Sequence, residues 1–268
     1  MMGRGDEMRH QKTLIDGAGL AVRLTWYRPG EQMAPHAHDC HQVSWLLSGE
    51  LREVGGAGEH DVVGTSRGVK PAGFRHANVY GVNGALVLGV DIDPEGAGCC
   101  DLPDPGAWAW ADTAADVPIE ILRLATASDK ADADPGQTLT DLAACALEPA
   151  LDSGHDSLVH DRVARGWLDR VREQLRDDPD EPDLSRLAEQ AGVHRVHLSR
   201  SFRRRFGLPP SRYRLQCRVS RAIADMVDGA HIAEAALAAG FADQSHLTRV
   251  VRTHTGFTPG HLRALIAA

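Results

Sequence analysis

The chain repeats itself near its C-terminal end, and this repeat restricts its fold more than any other feature. Leu184, Leu187, Ala188, Ala191 and Gly192 recur 48 residues later as Ile232, Ala235, Ala236, Ala239 and Gly240. Leu198, Arg200, Phe202, Gly207, Pro210 and Arg214 recur 49 residues later as Leu247, Arg249, Val251, Gly256, Pro259 and Arg263. One inserted residue in a turn accounts for the change of offset. Each copy reads as helix, tight turn, helix. In the first copy Leu184, Leu187, Ala188 and Ala191 fall at i, i+3, i+4 and i+7, one apolar face, and Gly192 suits the left-handed residue that ends a helix. A second helix starts near His194 and buries Leu198, Phe202 and Phe206, until Gly207 and Leu208-Pro209-Pro210 stop it. In the second copy Ile232, Ala235, Ala236 and Ala239 form the packing face. Asp243 is placed as an N-cap, Leu247 and Val251 point inward, and Gly256 and Pro259 end the unit.

Such paired helices suit DNA, because the major groove admits one helix whose N-terminal part reaches base edges. Val196, Ser199 and Arg200 in the first copy, and Gln244, Ser245 and Arg249 in the second, are expected to read bases. Arg203, Arg204, Arg205 and Arg252 lie further along and are expected to meet phosphates. A lone copy leaves room for a second reading, a helical bundle with a solvated basic face; a matched pair argues against that. Between the copies, Ser211 to Met226 lacks Gly and Pro, and Tyr213, Leu215, Val219, Ile223 and Met226 share one side. About 16 residues of helix span roughly 24 Å, which with the width of the two units brings the readers near one turn of B-DNA, about 34 Å, apart.

Charge supports the same partner. The whole chain carries -8, but residues 183–268 hold 13 Arg, no Lys and 6 acids, a formal +7, so the remainder carries -15. A basic end on an acidic body is the electrostatic footprint of a DNA-binding domain attached to something else.

The C-terminal 85 to 100 residues resemble the AraC/XylS family of bacterial transcription regulators. The resemblance is carried by Leu184-Ser-Arg-Leu-Ala-Glu-Gln-Ala-Gly192, by Leu198-Ser-Arg-Ser-Phe202 with Gly207, and by Gly240-Phe-Ala-Asp-Gln-Ser-His-Leu-Thr-Arg249. It ends in Thr255-Gly-Phe-Thr-Pro259 and Leu262-Arg263. Leu247 and Val251 stand where the family usually has phenylalanines, but both remain apolar.

Further upstream, from Gly19 to about Asp93, short apolar runs broken by Gly, Pro and Asp predict an all-β unit. The runs are Leu20 to Tyr27, Val43 to Leu47, Leu51 to Val54, Asp61 to Thr65 and Leu86 to Ile92, with Ser48-Gly49 read as a hairpin turn. His36 and His38 sit at i, i+2, on one face of a strand, and His76 on another strand could complete a facial metal site. Gly30, His36-Ala-His38, Gln42, Gly49, Pro71-Ala-Gly73 and His76 resemble the two motifs of the cupin barrel, which implies a divalent metal held by three His and a Glu. Gln42 stands at the Glu position, which weakens such a site. Three readings stay open for His36, His38 and His76: a metal-free pocket or structural histidines, a metal that serves sensing or structure, and a catalytic metal. The mouth of a small barrel admits a ligand. Trp26, Tyr27, Trp45 and Phe74, with His36, His38, Gln42 and His76, are the candidate effector-pocket residues, although aromatic residues in strands are more often plain core.

Asp93 to Trp110 reads as loop. Helical patterns follow at Pro118 to Ser128, Thr138 to Leu151 and Leu158 to Leu175. In resembling proteins the helices after the barrel often form a dimer contact; the alternative is that they pack on the barrel. The expected fold is therefore α+β in two domains: a cupin-like β-barrel with helices, then an all-α tandem helix-turn-helix. The division is residues 1–110 for an effector-sensing barrel, 111–154 for connecting helices, and 155–268 for the DNA-binding domain, with the boundary near Ser153-Gly154.

Five scattered cysteines (Cys40, Cys99, Cys100, Cys145, Cys217) without a C-x-x-C pair argue against a disulfide framework or zinc finger. The polar stretch Met1 to Lys12 lacks a signal-peptide core, no apolar run reaches bilayer length, and a cytoplasmic protein is expected. The expected function is a sequence-specific transcription regulator, not an enzyme, controlled by a small molecule in the barrel. Its expected partners are double-stranded DNA, that effector, a second copy of the chain, and RNA polymerase if it activates. A cupin metalloenzyme of dioxygenase or isomerase type with a DNA-binding appendage is the alternative. A constitutive DNA-binding protein whose barrel only dimerises is a third.

Overall fold

The computed structural model describes residues 10–17, 19–56, 58–64, 66–95, 108–112, 116–127, 162–177 and 183–267. Eight antiparallel strands come first: β1 (His10–Gly17), β2 (Leu20–Tyr27), β3 (Gln32–His36), β4 (His41–Gly55), β5 (Gly58–Val63), β6 (Ser66–Lys70), β7 (His76–Ile92) and β8 (Ala109–Asp112). Their order is β1-β2-β7-β4-β6-β8, with β3 added to β7 and β5 to β4.

The long strands β4 and β7 pair from His41 against Ile92 to Gly55 against His76, and each serves two layers. Beyond the corner, β7 takes β2 as neighbour along Ala85–Ile92 and β3 along His76–Val79. Likewise β4 takes β6 along its first half and β5 along its second. Register shifts between Leu46 and Ser48 and between Gly49 and Leu51 mark bulges, which bend a strand and raise its twist. Ser48-Gly49 is therefore not the expected hairpin turn; the chain continues through it as one bent strand. Gly49 has φ +95°, and a Cβ there would lie 2.1 Å from the Gly84 carbonyl oxygen, so only glycine lets the two long strands cross at the bend. The folded-over sheet is the barrel-like half of the molecule.

Strand alternation sorts the first layer into two faces. Leu20, Val22, Leu24 and Trp26, with Val43, Trp45 and Leu47 and with Leu86, Leu88, Val90 and Ile92, join the large buried core. Arg23, Thr25, Tyr27, Gln42, Ser44, Val87, Gly89 and Asp91 line a cavity on the other side. The expected loop through Trp110 ends earlier: Ala109–Asp112 pairs with β6 and adds an edge strand across the expected boundary at residue 110.

Among the described residues the helices are α1 (Asp116–Ala127), α2 (Arg162–Asp177), α3 (Leu184–Gln190), α4 (Arg195–Phe206), α5 (Pro210–Val227), α6 (Ile232–Ala238), α7 (Gln244–Thr255) and α8 (Pro259–Ala267). None of the described helices is long and apolar enough to cross a membrane. The helix read over Thr138 to Leu151 and the boundary near Ser153-Gly154 lie outside the described residues. Helix α1 packs on the barrel and on α7, burying Ile121, Leu122 and Ala125 in the shared core.

The two repeat copies are seated differently. Ala235, Ala236, Ala239, Phe241, Leu247, Val251, Leu262 and Ile266 of the second copy join the barrel's own core, together with Val219 to Met226 of α5. The first copy builds a separate core with α2 from Leu168, Val171, Leu175, Leu187, Ala188, Leu198, Phe202, Phe206, Tyr213 and Cys217, to which the described residues of the barrel add Val63. Fold class is thus α+β, an antiparallel sheet followed by a helical domain.

Candidate nucleic-acid interface and barrel cavity

Each candidate reading helix is capped by residues that the repeat predicted. The imidazole of His194 accepts a hydrogen bond from Val196 N at 3.2 Å and starts α4, and Gly207 (φ 78°) ends it. The Asp243 carboxylate accepts from His246 N at 2.7 Å and starts α7, and Gly256 (φ 76°) ends that helix. Both satisfy orphan amides of a first turn. Leu198, Phe202 and Phe206 point inward from α4, as Leu247 and Val251 do from α7, which turns the opposite faces to solvent.

On those faces Val196, Arg200, Arg203 and Arg204 are exposed and Ser199 is half-buried. Gln244, Ser245, Arg249 and Arg252 are all exposed. The two candidate sets are thus on solvent-facing sides of their helices. Arg204 reaches back to Ser201 Oγ at 3.4 Å. Arg205, expected at phosphates, instead lies 3.8 Å from Asp61 of the barrel and over the Phe206 ring. His197 stacks near Trp167 of α2 and approaches Ser201, a structural role that helical periodicity did not reveal.

The barrel cavity has a volume of about 200 Å³. Its wall includes His36, His38, Gln42 and His76, as expected, and Tyr27. Trp26 and Trp45 are corrected: they are 1% and 0% exposed and face the helices, because each shares strand parity with the core and not with the cavity. Gln42 and Trp45, three residues apart on one strand, cannot share a face. Phe74 also leaves the wall and stacks on Trp108, ring centres 5.0 Å apart.

The three histidines do converge. Ring centres lie 4.9 Å apart for His36 and His38, 4.4 Å for His36 and His76, and 5.3 Å for His38 and His76. One ligand-capable atom of each falls within 4.8 Å of the others. His36 Nδ1 donates to the Ala34 carbonyl at 2.8 Å and His76 Nδ1 to the Phe74 carbonyl at 3.3 Å. A carbonyl only accepts, so both rings carry a proton on Nδ1, which leaves Nε2 as the atom able to face a metal. His36 Nε2 is buried without a hydrogen-bond partner. His38 and His76 are pushed down to about 4, foremost by burial, with His36 acting on the first and Lys70 on the second. His38 and His76 are therefore neutral imidazoles at neutral pH, which is what a divalent ion requires of histidine. The donor set fits a metal held by three His.

Gln42 does not extend this set. Its Nε2 donates to Asp91 Oδ1 at 3.0 Å, and Arg23 pairs with the other oxygen of Asp91. Below the histidines Glu53, wholly buried, sits 3.2 Å from Lys70 Nζ and 3.8 Å from His76 Nε2, and accepts from Trp110 Nε1. Burial lowers the Lys70 pKa, while Glu53 opposes that shift. Tyr27 and Tyr80 stack at 3.9 Å on the cavity wall, beside Met33, Leu51 and Val87. The cavity thus combines a polar end with an aromatic and aliphatic one. Glu53 and Lys70 escaped the sequence reading because a charge in a strand looks solvent-facing until its partner strand is known.

A family model described as a helix-turn-helix domain matches residues 187–264. No curated protein matches the chain in sequence. Among solved structures, ToxT from Vibrio cholerae is 12% identical over 93% of this chain and 100% of its own, with a TM-score of 0.38. An AraC-type regulator from Chromobacterium violaceum is 27% identical over 40% of this chain and 97% of its own, TM-score 0.37. An RmlC-like cupin from Shewanella frigidimarina is 18% identical over 33% of this chain and 78% of its own, TM-score 0.31. The C-terminal part of the chain is a helix-turn-helix domain, joined to an antiparallel sheet domain.

Proposed function

We propose that the chain is a transcription regulator whose DNA affinity is controlled by a small molecule bound in the barrel cavity. One observation carries the reading: one strand meets both the cavity and the helices that support the readers. Leu51 of β4 lines the cavity, and on the same strand Ser48 bonds Ser220 of α5 and Glu50 accepts from Arg172 of α2. A ligand that fits one arrangement of this seam better than another shifts the population of DNA-competent molecules. A coupling of about 1–3 kcal/mol changes DNA affinity roughly 5- to 150-fold.

In this reading Val196, Ser199, Arg200, Gln244, Ser245 and Arg249 contact bases, and Arg203, Arg204 and Arg252 contact phosphates. The effector meets His36, His38, Gln42 and His76 at its polar end. A metal in the cavity would be held by His36, His38 and His76 and would supply a Lewis-acidic point for an oxygen or nitrogen of the effector. The same reading carries a cytoplasmic protein that works as a homodimer and meets RNA polymerase if it activates.

Selection of duplexes from a random pool, followed by titration of the selected site with a metabolite panel, tests it. A defined operator whose affinity moves with one compound supports the reading. Absence of any preferred duplex, with or without the panel, overturns it. The metalloenzyme alternative keeps one supporting feature, the convergence of the three histidine rings on one point, and metal-dependent turnover of a small substrate would favour it.

A further inference from the structure

The two helix-turn-helix units are attached to the barrel by different physics. The second shares its apolar core with β2, β4 and β7, an attachment that is non-directional and is lost only by exposing a large apolar area. The first contributes no such core; Val63 is the barrel residue among its buried apolar side chains.

Ion pairs hold it instead. Glu50, 7% exposed on β4, accepts from Arg172 Nη2 and from the Tyr213 hydroxyl at 3.4 Å, and Arg176 Nη1 lies 3.9 Å away. Asp61 on β5 lies 3.9 Å from Arg172 and 3.8 Å from Arg205 of the reading helix α4, and accepts from Arg52 Nε at 2.8 Å. Burial works against the charge on Arg172, yet its partners, Glu50 foremost, raise its pKa overall. Ion pairs, whether mostly buried as at Glu50 or partly exposed as at Asp61, gain little over a state in which both charges are hydrated, so a separated arrangement lies within reach. An apolar seam has no such alternative.

The clasp also touches the cavity wall. Leu51, next to Glu50, lines the cavity, and the Glu50 side chain crosses Gly81 so closely that a Cβ there would lie 2.2 Å from its Cγ. Gly81 follows Tyr80, another cavity residue.

We propose that Glu50 and Asp61 form an ionic latch that holds the first helix-turn-helix unit against the barrel, making it the movable reader, whereas the second unit is a fixed extension of the barrel. This deepens the regulator reading by naming the joint through which the cavity acts. Its test uses neither effector nor DNA, so its failure is distinct from failure of that reading.

Spin labels carried on unnatural residues at Val82 of the barrel, Arg186 of α3 and Leu237 of α6, all exposed, report the two distances in the full chain. In the Glu50→Gln/Asp61→Asn variant the Val82–Arg186 distribution broadens to about twice its original width as the separated state fills, while Val82–Leu237 keeps its width. An unchanged Val82–Arg186 distribution overturns the latch, and so does equal broadening of both. If the double variant does not fold, Asp61→Asn alone, at the edge of the clasp, takes its place: selective broadening of Val82–Arg186 supports the latch, and no broadening or equal broadening overturns it.

Discussion

The hydroxyls of Ser48 and Ser220 lie 2.7 Å apart in the seam between barrel and helices, 172 residues distant in sequence and both almost wholly buried. Ser220 also bonds the Gln216 carbonyl at 3.0 Å, so the pair is a satisfied polar island within an apolar interface. Ser220→Ala leaves the Ser48 hydroxyl buried without its partner and is expected to cost about 1–3 kcal/mol. The Ser48→Ala/Ser220→Ala variant should recover most of that loss, because no orphan remains. Urea denaturation of the four proteins forms the cycle; equal stability of all four would show the contact to be neutral.

The arginines of the reading helices should separate by role. Arg200→Ala or Arg249→Ala is expected to cost about 1–3 kcal/mol of operator affinity and to relax preference at one base position. Arg204→Ala should weaken binding to every duplex and reduce its salt dependence. Fluorescence anisotropy against an operator and its single-base variants measures both. Unchanged selectivity in Arg200→Ala would remove it from the base-reading set.

Zinc or nickel added to the metal-free protein should bind at one ion per chain. His76→Ala is expected to lower that affinity by more than about 10-fold, since removing a ligand costs at least as much as disturbing its supporting shell. Gln42→Ala should leave it nearly unchanged, because that amide is engaged with Asp91 and not with the trio. Equilibrium dialysis reads the result, and equal uptake by wild type and His76→Ala would make the histidines plain cavity wall.

Stability should depend on pH through His254 in α7. Burial first, and then Arg212, lower its pKa from 6.5 in the folded chain. Between the folded value and 6.5 the unfolded chain binds more protons, so the stabilising contribution is complete above pH 6.5 and is lost as pH falls below it. His254→Gln should flatten the fall in Tm over that range relative to wild type. The other depressed histidines remain in both proteins, so the difference isolates this ring. Parallel Tm curves would assign the dependence elsewhere.

Much of the helical domain was legible because its signals are local. Capping by Asp243, the turn glycines and the inward spacing of Leu198, Phe202 and Phe206 all act within a few residues, and period and turn chemistry read them directly. The cavity was legible only in part. His36, His38 and His76 follow from spacing, whereas Trp26 and Trp45 leave the pocket for the core, the commoner place for aromatic residues in strands. Their residue type suggested a pocket, but strand parity with Leu24 and Val43 sends them to the core. Ser48-Gly49 misled for a related reason: the same dipeptide serves a hairpin or a bulge, and the partner strand decides between them.

The sequence by itself determined that two similar helix-turn-helix units follow a β-rich segment, because periodicity, caps and turns are properties of short stretches of chain. Tertiary structure alone decided that one unit is fused to the barrel's apolar core and the other is clasped by Glu50 and Asp61. Whether a carboxylate on a strand meets water or an arginine more than 100 residues away depends on how the layers dock, and no local pattern encodes that.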